Sequence, residues 1–250
     1  MRLRRSSIAV MTDDYPSTRH FEIVATDRTV EEPWAAAKVR PGERVLDVGS
    51  ATSRYLRELP AECRVFALDL RPTRPQDGID VLRGDLTRAP LLPQSFDVIT
   101  CISTIEHVGL DVYGQGPDEF GDELAMRHMR GLLRPGGRLL LSAPYGRRSI
   151  NAWLRIYDQP SFRRLIAGYR LLSVEYYRRD GDVYLRCSPG DLADAGFDWK
   201  NVRSDGVILA ELTPVRSLSF LLARLTLRVR RRLSKQLGRG RFWSSPEFRD

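Results

Sequence analysis

Three aspartates, one glycine and one histidine carry the chemistry legible in this chain. In "RVLDVGSATSRYLREL", residues 44–59, Asp47 and Gly49 stand at the end of an apolar run. A glycine in that place lets the backbone turn sharply and come close to a ligand. Asp69 ends the next run, "FALDL", 20 residues after Gly49, the separation at which an acidic side chain can hold ribose hydroxyls. Asp85, in "RGDL", follows the third run and is placed to accept a hydrogen bond from an exocyclic amine such as that of adenine. A fourth run, "FDVITCIS", ends in Ser103 and Thr104 and leads to Glu106 and His107. Imidazole titrates near neutral pH, so His107 is the candidate base for a hydroxyl proton; its other reading is a cap or a pocket wall.

The elements that must position these residues follow from the alternation of short apolar runs with helical stretches, the pattern of an α/β fold with a parallel sheet wound by helices. Strands are expected over 44–50, 64–70, 80–83, 96–103 and 138–143, with longer ones at 169–179 and 206–215 near the sheet edge. Several are continuously apolar, as strands covered on both faces should be. Helices are expected over 30–39, 53–58, 119–133 and 161–168. Residues 180–204 read as an insertion with a short helix begun by Ser188-Pro189. The glycine-rich loop 108–119 follows a strand end, where ligands bind in open α/β sheets, and Tyr113 and Phe120 make it a candidate lid.

The chain has 250 residues and a formal charge of +8. Residues 212–250 hold 10 of the basic and 2 of the acidic residues, which accounts for the whole excess. The body gives no electrostatic reason to expect nucleic acid. Cys63, Cys101 and Cys187 are odd in number and scattered, against both a disulfide framework and a zinc site. Cys101, inside a strand run, reads as a small buried apolar residue rather than a nucleophile. No run approaches the roughly 18–20 apolar residues of a membrane span, and a cytoplasmic protein, peripheral on a membrane at most, is expected. The domain organisation reads as an N-terminal extension over 1–29, one domain over 30–215, and a basic tail over 216–250.

The motifs "VLDVGSATS", "ALDL", "GDL", "FDVITCISTIEHV" and "LLRPGGRLLLSAP" resemble those of class I S-adenosylmethionine-dependent methyltransferases. The Pro-Gly-Gly turn between helix and strand is also what backbone chemistry asks for at a helix end. The resemblance implies a Rossmann-like doubly wound sheet of seven strands with the last antiparallel, and S-adenosylmethionine as cofactor. It implies that Asp47 and Gly49, with Ser50 and Ala51, border the methionine moiety. Asp69 and Leu70 would hold the ribose, Asp85 and Leu86 the adenine, and the backbone near Ser103 would face the methionine amine. The family's Asp-x-Gly-x-Gly-x-Gly loop is here Asp47-Val-Gly49-Ser-Ala51-Thr-Ser53, with small residues at the second and third glycine positions. A dinucleotide fingerprint fits less well, since Arg54 stands where it needs its third glycine.

No Asp/Asn-Pro-Pro-Tyr/Phe run, Pro-Cys pair or glutamate pair on one loop marks a methylase of nucleic-acid bases or of protein arginine. O-methylation of a small molecule, sugar or glycan/lipid-linked acceptor is the expectation. In the tail, Leu218, Leu221, Leu222, Leu225, Val229 and Leu233 fall on one helical stripe, with Arg224, Arg228, Arg230, Arg231 and Lys235 largely opposite. That stripe reads as packing on the domain or on a second copy, as a homodimer, or as contact of 216–241 with an anionic membrane surface. The alternative class is a catalytically silent fold member that binds a partner through this tail.

Overall fold

A computed structural model describes residues 26–71, 77–114 and 116–215. The expected tail over 216–250, and with it the homodimer and membrane readings, lies outside the described residues, as does most of the N-terminal extension. Eight strands form one sheet: β1 (Arg44–Val48), β2 (Arg64–Asp69), β3 (Ile79–Arg83), β4 (Phe96–Cys101), β5 (Leu133–Pro144), β6 (Tyr169–Asp180), β7 (Val183–Cys187) and β8 (Gly206–Pro214). Their order is β3-β2-β1-β4-β5-β8-β6-β7. Neighbours from β3 to β5 are parallel, while β8 runs antiparallel to both β5 and β6. The seven expected strands and the antiparallel last strand are all present.

The eighth, β7, comes from the segment read as an insertion. Asp180 pairs with Val183 across a two-residue turn, and Gly181 there has φ +56°. The two turn residues are Gly181 and Asp182, and a glycine at the first of two central positions suits a hairpin turn, so "DGDVYLR" extends the sheet. The rest of the segment forms a turn of 3-10 helix, Pro189–Leu192, capped by Ser188, and a two-stranded ribbon of Phe197–Asp198 with Arg203–Ser204.

Three α-helices are present among the described residues: α1 (Arg28–Lys38), α2 (Gly121–Leu132) and α3 (Gln159–Leu165). Asp27 caps α1 by accepting from the Arg28 amide, and Asp158 and Ser161 form a reciprocal capping box on α3. The helix expected over 53–58 is instead two 3-10 turns, Ser50–Thr52 and Tyr55–Glu58, with Ser53 extended between them. The cause is Asp47. Its buried carboxylate accepts from Ser53 Oγ at 2.6 Å and from Tyr55 OH at 2.7 Å, which draws the chain back over the end of β1 and denies it a regular helix.

Side chains alternate between two apolar layers. Met126, Met129 and Leu132 of α2 and Phe162 and Leu165 of α3 pack with Leu46, Ile99 and Leu141 on one face. Trp34 and Ala35 of α1, with Tyr55 and Leu56, cover Val45, Val98 and Leu140 on the other. Cys101 is wholly buried in the first layer, and burial pushes its thiol well above its ordinary range. The Pro-Gly-Gly segment is a bulge: Leu133 pairs with Phe96 and Arg138 with Val98, so residues 134–137 stand opposite one residue of β4. At the amino ends of β1 and β5, Arg138 grips Glu43 at 2.7 and 2.9 Å and Glu211 at 3.0 Å, and Lys38 meets Glu211 at 2.8 Å. Among the described residues no helix is long and apolar enough to cross a membrane.

Candidate active site

The carboxyl ends of β1, β2 and β4 open into one cavity of about 520 Å³. This is the crevice where open α/β sheets bind ligands, and its size lies within the roughly 300–1,000 Å³ of small-molecule sites. Gly49 turns the chain out of β1 with φ +78° and ψ +35°. A Cβ there would lie 2.1 Å from Thr104 Oγ1, so the loop can press on the end of β4 only because residue 49 has none.

The cavity wall takes in Gly49, Asp69, Leu70, Asp85 and Leu86 from one side, and Ser103 and His107 from the other. Asp47, Ser50 and Ala51 are not part of it. Both oxygens of Asp47 are spent inside the protein, on Ser53, Tyr55 and, at 2.7 Å, Thr100. It braces the loop from behind instead of facing the cavity. Ser50 is buried, and Ala51 acts through its amide, which donates to Asp69 Oδ2 at 2.8 Å. The Arg71 amide donates to Asp69 Oδ1 at 2.8 Å, so the carboxylate is aimed by two backbone N–H groups. Asp85 Oδ1 accepts from the amide and hydroxyl of Thr87 at 2.8 and 2.7 Å.

Ser103 adopts φ +41°, an uncommon conformation for a residue with a side chain. Its amide donates to Ser142 Oγ at 3.0 Å and its hydroxyl donates to the buried carboxyl of Glu31 at 2.7–2.8 Å. Burial pushes Glu31 up to about 8, and pushes Glu106 up to about 8 as well. The Oε2 of Glu106 has no hydrogen-bond partner, while its Oε1 lies 3.8 Å from His107 Nε2.

His107 Nδ1 lies 2.6 Å from the carbonyl oxygen of Trp153. A carbonyl only accepts, so Nδ1 carries the proton and Nε2 keeps its lone pair. Burial lowers the imidazole below its ordinary 6.5, so it is neutral at pH 7.

Arg28 and Trp153 are among the wall residues that the sequence reading did not single out. Arg28, in the first turn of α1, reaches the cavity; its Nη2 donates to Thr52 Oγ1 at 3.3 Å and its Nη1 is buried without a hydrogen-bond partner. Trp153 arrives from a hairpin between β5 and α3. Neither stands at the end of a sheet strand, where the sequence signal lies. Tyr113 of the expected lid does line the cavity, whereas Phe120 is exposed and outside it. Tyr184 of the 180–204 segment is buried in the second apolar layer, and Trp199 packs on Phe197 with ring centres 4.7 Å apart; neither lines the cavity. The loop holding Tyr113 is anchored where a Cβ on Gly109 would lie 2.2 Å from the carbonyl oxygen of Asp118, an approach only glycine allows.

Comparison with known proteins supplies the frame for this geometry. Residues 87–186 match a family described as a Caenorhabditis protein of unknown function, DUF268. The chain is 28% identical over 120 residues to a ribosomal RNA large subunit methyltransferase E of Azoarcus sp. (strain BH72), covering 43% of this chain and 58% of that protein. It is 30% identical over 115 residues to a demethylmenaquinone methyltransferase of Mycobacterium sp. (strain KMS), covering 44% and 45%. The chain therefore spans about half the length of these curated relatives. Among solved structures, the N-methyltransferase NodS from Bradyrhizobium japonicum WM9, in complex with S-adenosylhomocysteine, superposes with a TM-score of 0.52 at 14% identity, covering 76% of this chain and 86% of that one. The fold is that of class I S-adenosylmethionine-dependent methyltransferases.

Within the methyltransferase fold, the side chains of this cavity suit S-adenosylmethionine. Gly49 leaves the close approach that a ligand at the β1 turn needs, and Asp69 presents an oriented acceptor at the end of β2. Arg28, whose Nη1 lies 3.7 Å from Glu32 Oε1 and makes no hydrogen bond, brings a guanidinium donor to the wall, chemistry that matches a carboxylate.

Proposed function

We propose that this protein is an S-adenosylmethionine-dependent methyltransferase that methylates a hydroxyl oxygen of a small molecule, sugar or glycan/lipid-linked acceptor. When bound, the cofactor supplies a methyl carbon already activated by a positively charged sulfur. Asp69 would hold the ribose hydroxyls, Asp85 and Leu86 the adenine, and Arg28 the carboxylate. Ser103, fixed by Glu31 and Ser142, would present its backbone to the methionine end. His107 Nε2 would take the proton of the acceptor hydroxyl as its oxygen receives the methyl group that the cofactor would supply.

One observation carries the reading: Gly49, Asp69, Asp85 and His107 line a single cavity at the carboxyl ends of adjacent parallel strands. The nature of the base favours oxygen as the target, because a hydroxyl must lose a proton during transfer. Thermal unfolding of the full chain with S-adenosylhomocysteine tests it. A ligand at about 100 times its Kd should stabilise the fold by about 2.7 kcal/mol. An unchanged midpoint at millimolar ligand would favour the other class, a silent fold member acting as a binding module.

A further inference from the structure

We propose that the acceptor is a flat hydroxyaromatic molecule, held with its ring against Trp153 and Tyr113 and its hydroxyl at His107 Nε2. The inference rests on the methyltransferase reading and narrows it to one substrate class. Three rings meet at the mouth of the cavity. The Trp153 ring centre lies 5.3 Å from that of His107, and the Tyr113 ring centre lies 6.4 Å from it on another side, both edge-on. These are the separations at which aromatic rings attract through their quadrupoles. The two flanking rings still expose large surfaces: Trp153 is 42% and Tyr113 40% accessible. The exposed indole of Trp153 beside a candidate base offers apolar area that a flat ligand would bury, with Tyr113 at its flank.

The platform is held in place before anything binds. Asn151 Oδ1 accepts from the amides of Trp153 and Leu154 at 2.8 and 3.0 Å, which fixes the tip of the hairpin. Arg155 of the same hairpin donates to the Val108 carbonyl at 2.6 Å, tying it to the loop that carries Tyr113. The guanidinium of Arg71 sits over the Tyr113 ring at 4.9 Å. Rings positioned in advance lose little freedom when a ligand stacks on them.

The strength of the base points the same way. His107 is buried and titrates below its ordinary 6.5, which makes it a weak base. A phenolic hydroxyl loses its proton near pH 10. An aliphatic hydroxyl is a much weaker acid than a phenol, so a sugar would confront His107 with a wider gap. In the transfer, the aromatic oxygen gains the methyl carbon, its proton passes to Nε2 and then to water, and the sulfonium becomes a neutral thioether. No oxidant, metal or further reactant is needed.

Calorimetry on the full chain, saturated with S-adenosylhomocysteine and titrated with 1-naphthol or with methyl glucoside, tests the assignment. The expectation is that 1-naphthol binds and methyl glucoside does not. Trp153→Ala should weaken 1-naphthol by about tenfold, the usual scale of a lost stacking partner, and Trp153→Phe should restore most of it. The affinity for S-adenosylhomocysteine should be the same in all three proteins. The hydrogen bond to His107 Nδ1 is made by the backbone carbonyl of residue 153 and survives both substitutions, whereas the ring contact is lost in Trp153→Ala and kept as a smaller ring in Trp153→Phe. Equal 1-naphthol affinity in wild type and Trp153→Ala, absence of 1-naphthol binding, or methyl glucoside binding as tightly as 1-naphthol would overturn the assignment alone. Failure of S-adenosylhomocysteine to bind would overturn the methyltransferase reading, and this inference with it.

Discussion

His107 is the residue on which the chemistry turns, and its surroundings make two predictions. The Trp153 carbonyl holds the proton on Nδ1, so Nε2 is available as a base whenever the ring is neutral. His107→Gln should lower kcat by about 10²–10⁴ in a methyl-transfer assay while leaving cofactor affinity intact. In the wild type the acid limb of kcat/KM should fall below pH 6.5, because burial lowers this imidazole. The second prediction concerns Glu106, raised by burial to about 8 from an ordinary 4.5. Between those values the folded protein holds a proton that the unfolded chain has released, so stability falls as pH rises through that window. Glu106→Gln removes the titration. Relative to wild type it should be about 1–3 kcal/mol more stable at pH 8 than at pH 5, read from urea unfolding at the two pH values. Gly49, Asp69, Asp85 and His107 were legible because each sits at or just beyond the end of an apolar run. Arg28 and Trp153 were not, because a helix start and a hairpin tip bring them to the cavity from outside the strand ends.

The elements divide between those whose pattern decides them and those that a tertiary contact overrides. The apolar runs of β1, β2 and β4 are buried on both faces and left no alternative to strands. The stretch 53–58 has helical spacing, yet the buried carboxylate of Asp47 takes the hydroxyls of Ser53 and Tyr55, and two 3-10 turns result. β7 was hidden for a different reason: it is an edge strand with Val183 and Leu185 exposed, so its apolar pattern faces outward. Its Gly181-Asp182 turn was the usable sign. The cluster that ties α1, β1, β5 and β8 together is centred on Arg138, which is buried between Glu43 and Glu211. Removing one partner of such a cluster leaves the others desolvated and unpaired. Arg138→Ala should therefore cost about 3 kcal/mol in chemical denaturation. Because the cluster lies at the amino ends of the strands, affinity for S-adenosylhomocysteine should be unchanged in the protein that remains folded.

At the scale of the whole molecule, charge is unevenly spread along the sequence. The described residues hold the sheet and the cavity, whereas the entire positive excess lies in residues 212–250. The cavity is made at the carboxyl ends of parallel strands, as the winding of an open α/β sheet requires. One side carries the oriented carboxylates Asp69 and Asp85, and the other carries Ser103, His107 and the aromatic mouth. The sequence marked Asp69, Asp85, Ser103 and His107, and the strand order, which places β1 beside both β2 and β4, sets them around one cavity. The sequence did not show that Ala51 substitutes its amide for a glycine's freedom by aiming Asp69. Isothermal titration of the full chain with S-adenosylhomocysteine, wild type against Asp69→Ala, tests the central claim most directly. Loss of a charge-assisted hydrogen bond to the ribose should weaken binding by about 1.5–3 kcal/mol, roughly 10- to 150-fold. Equal affinity in the two proteins, or no binding by the wild type, would contradict the assignment of this cavity to the cofactor.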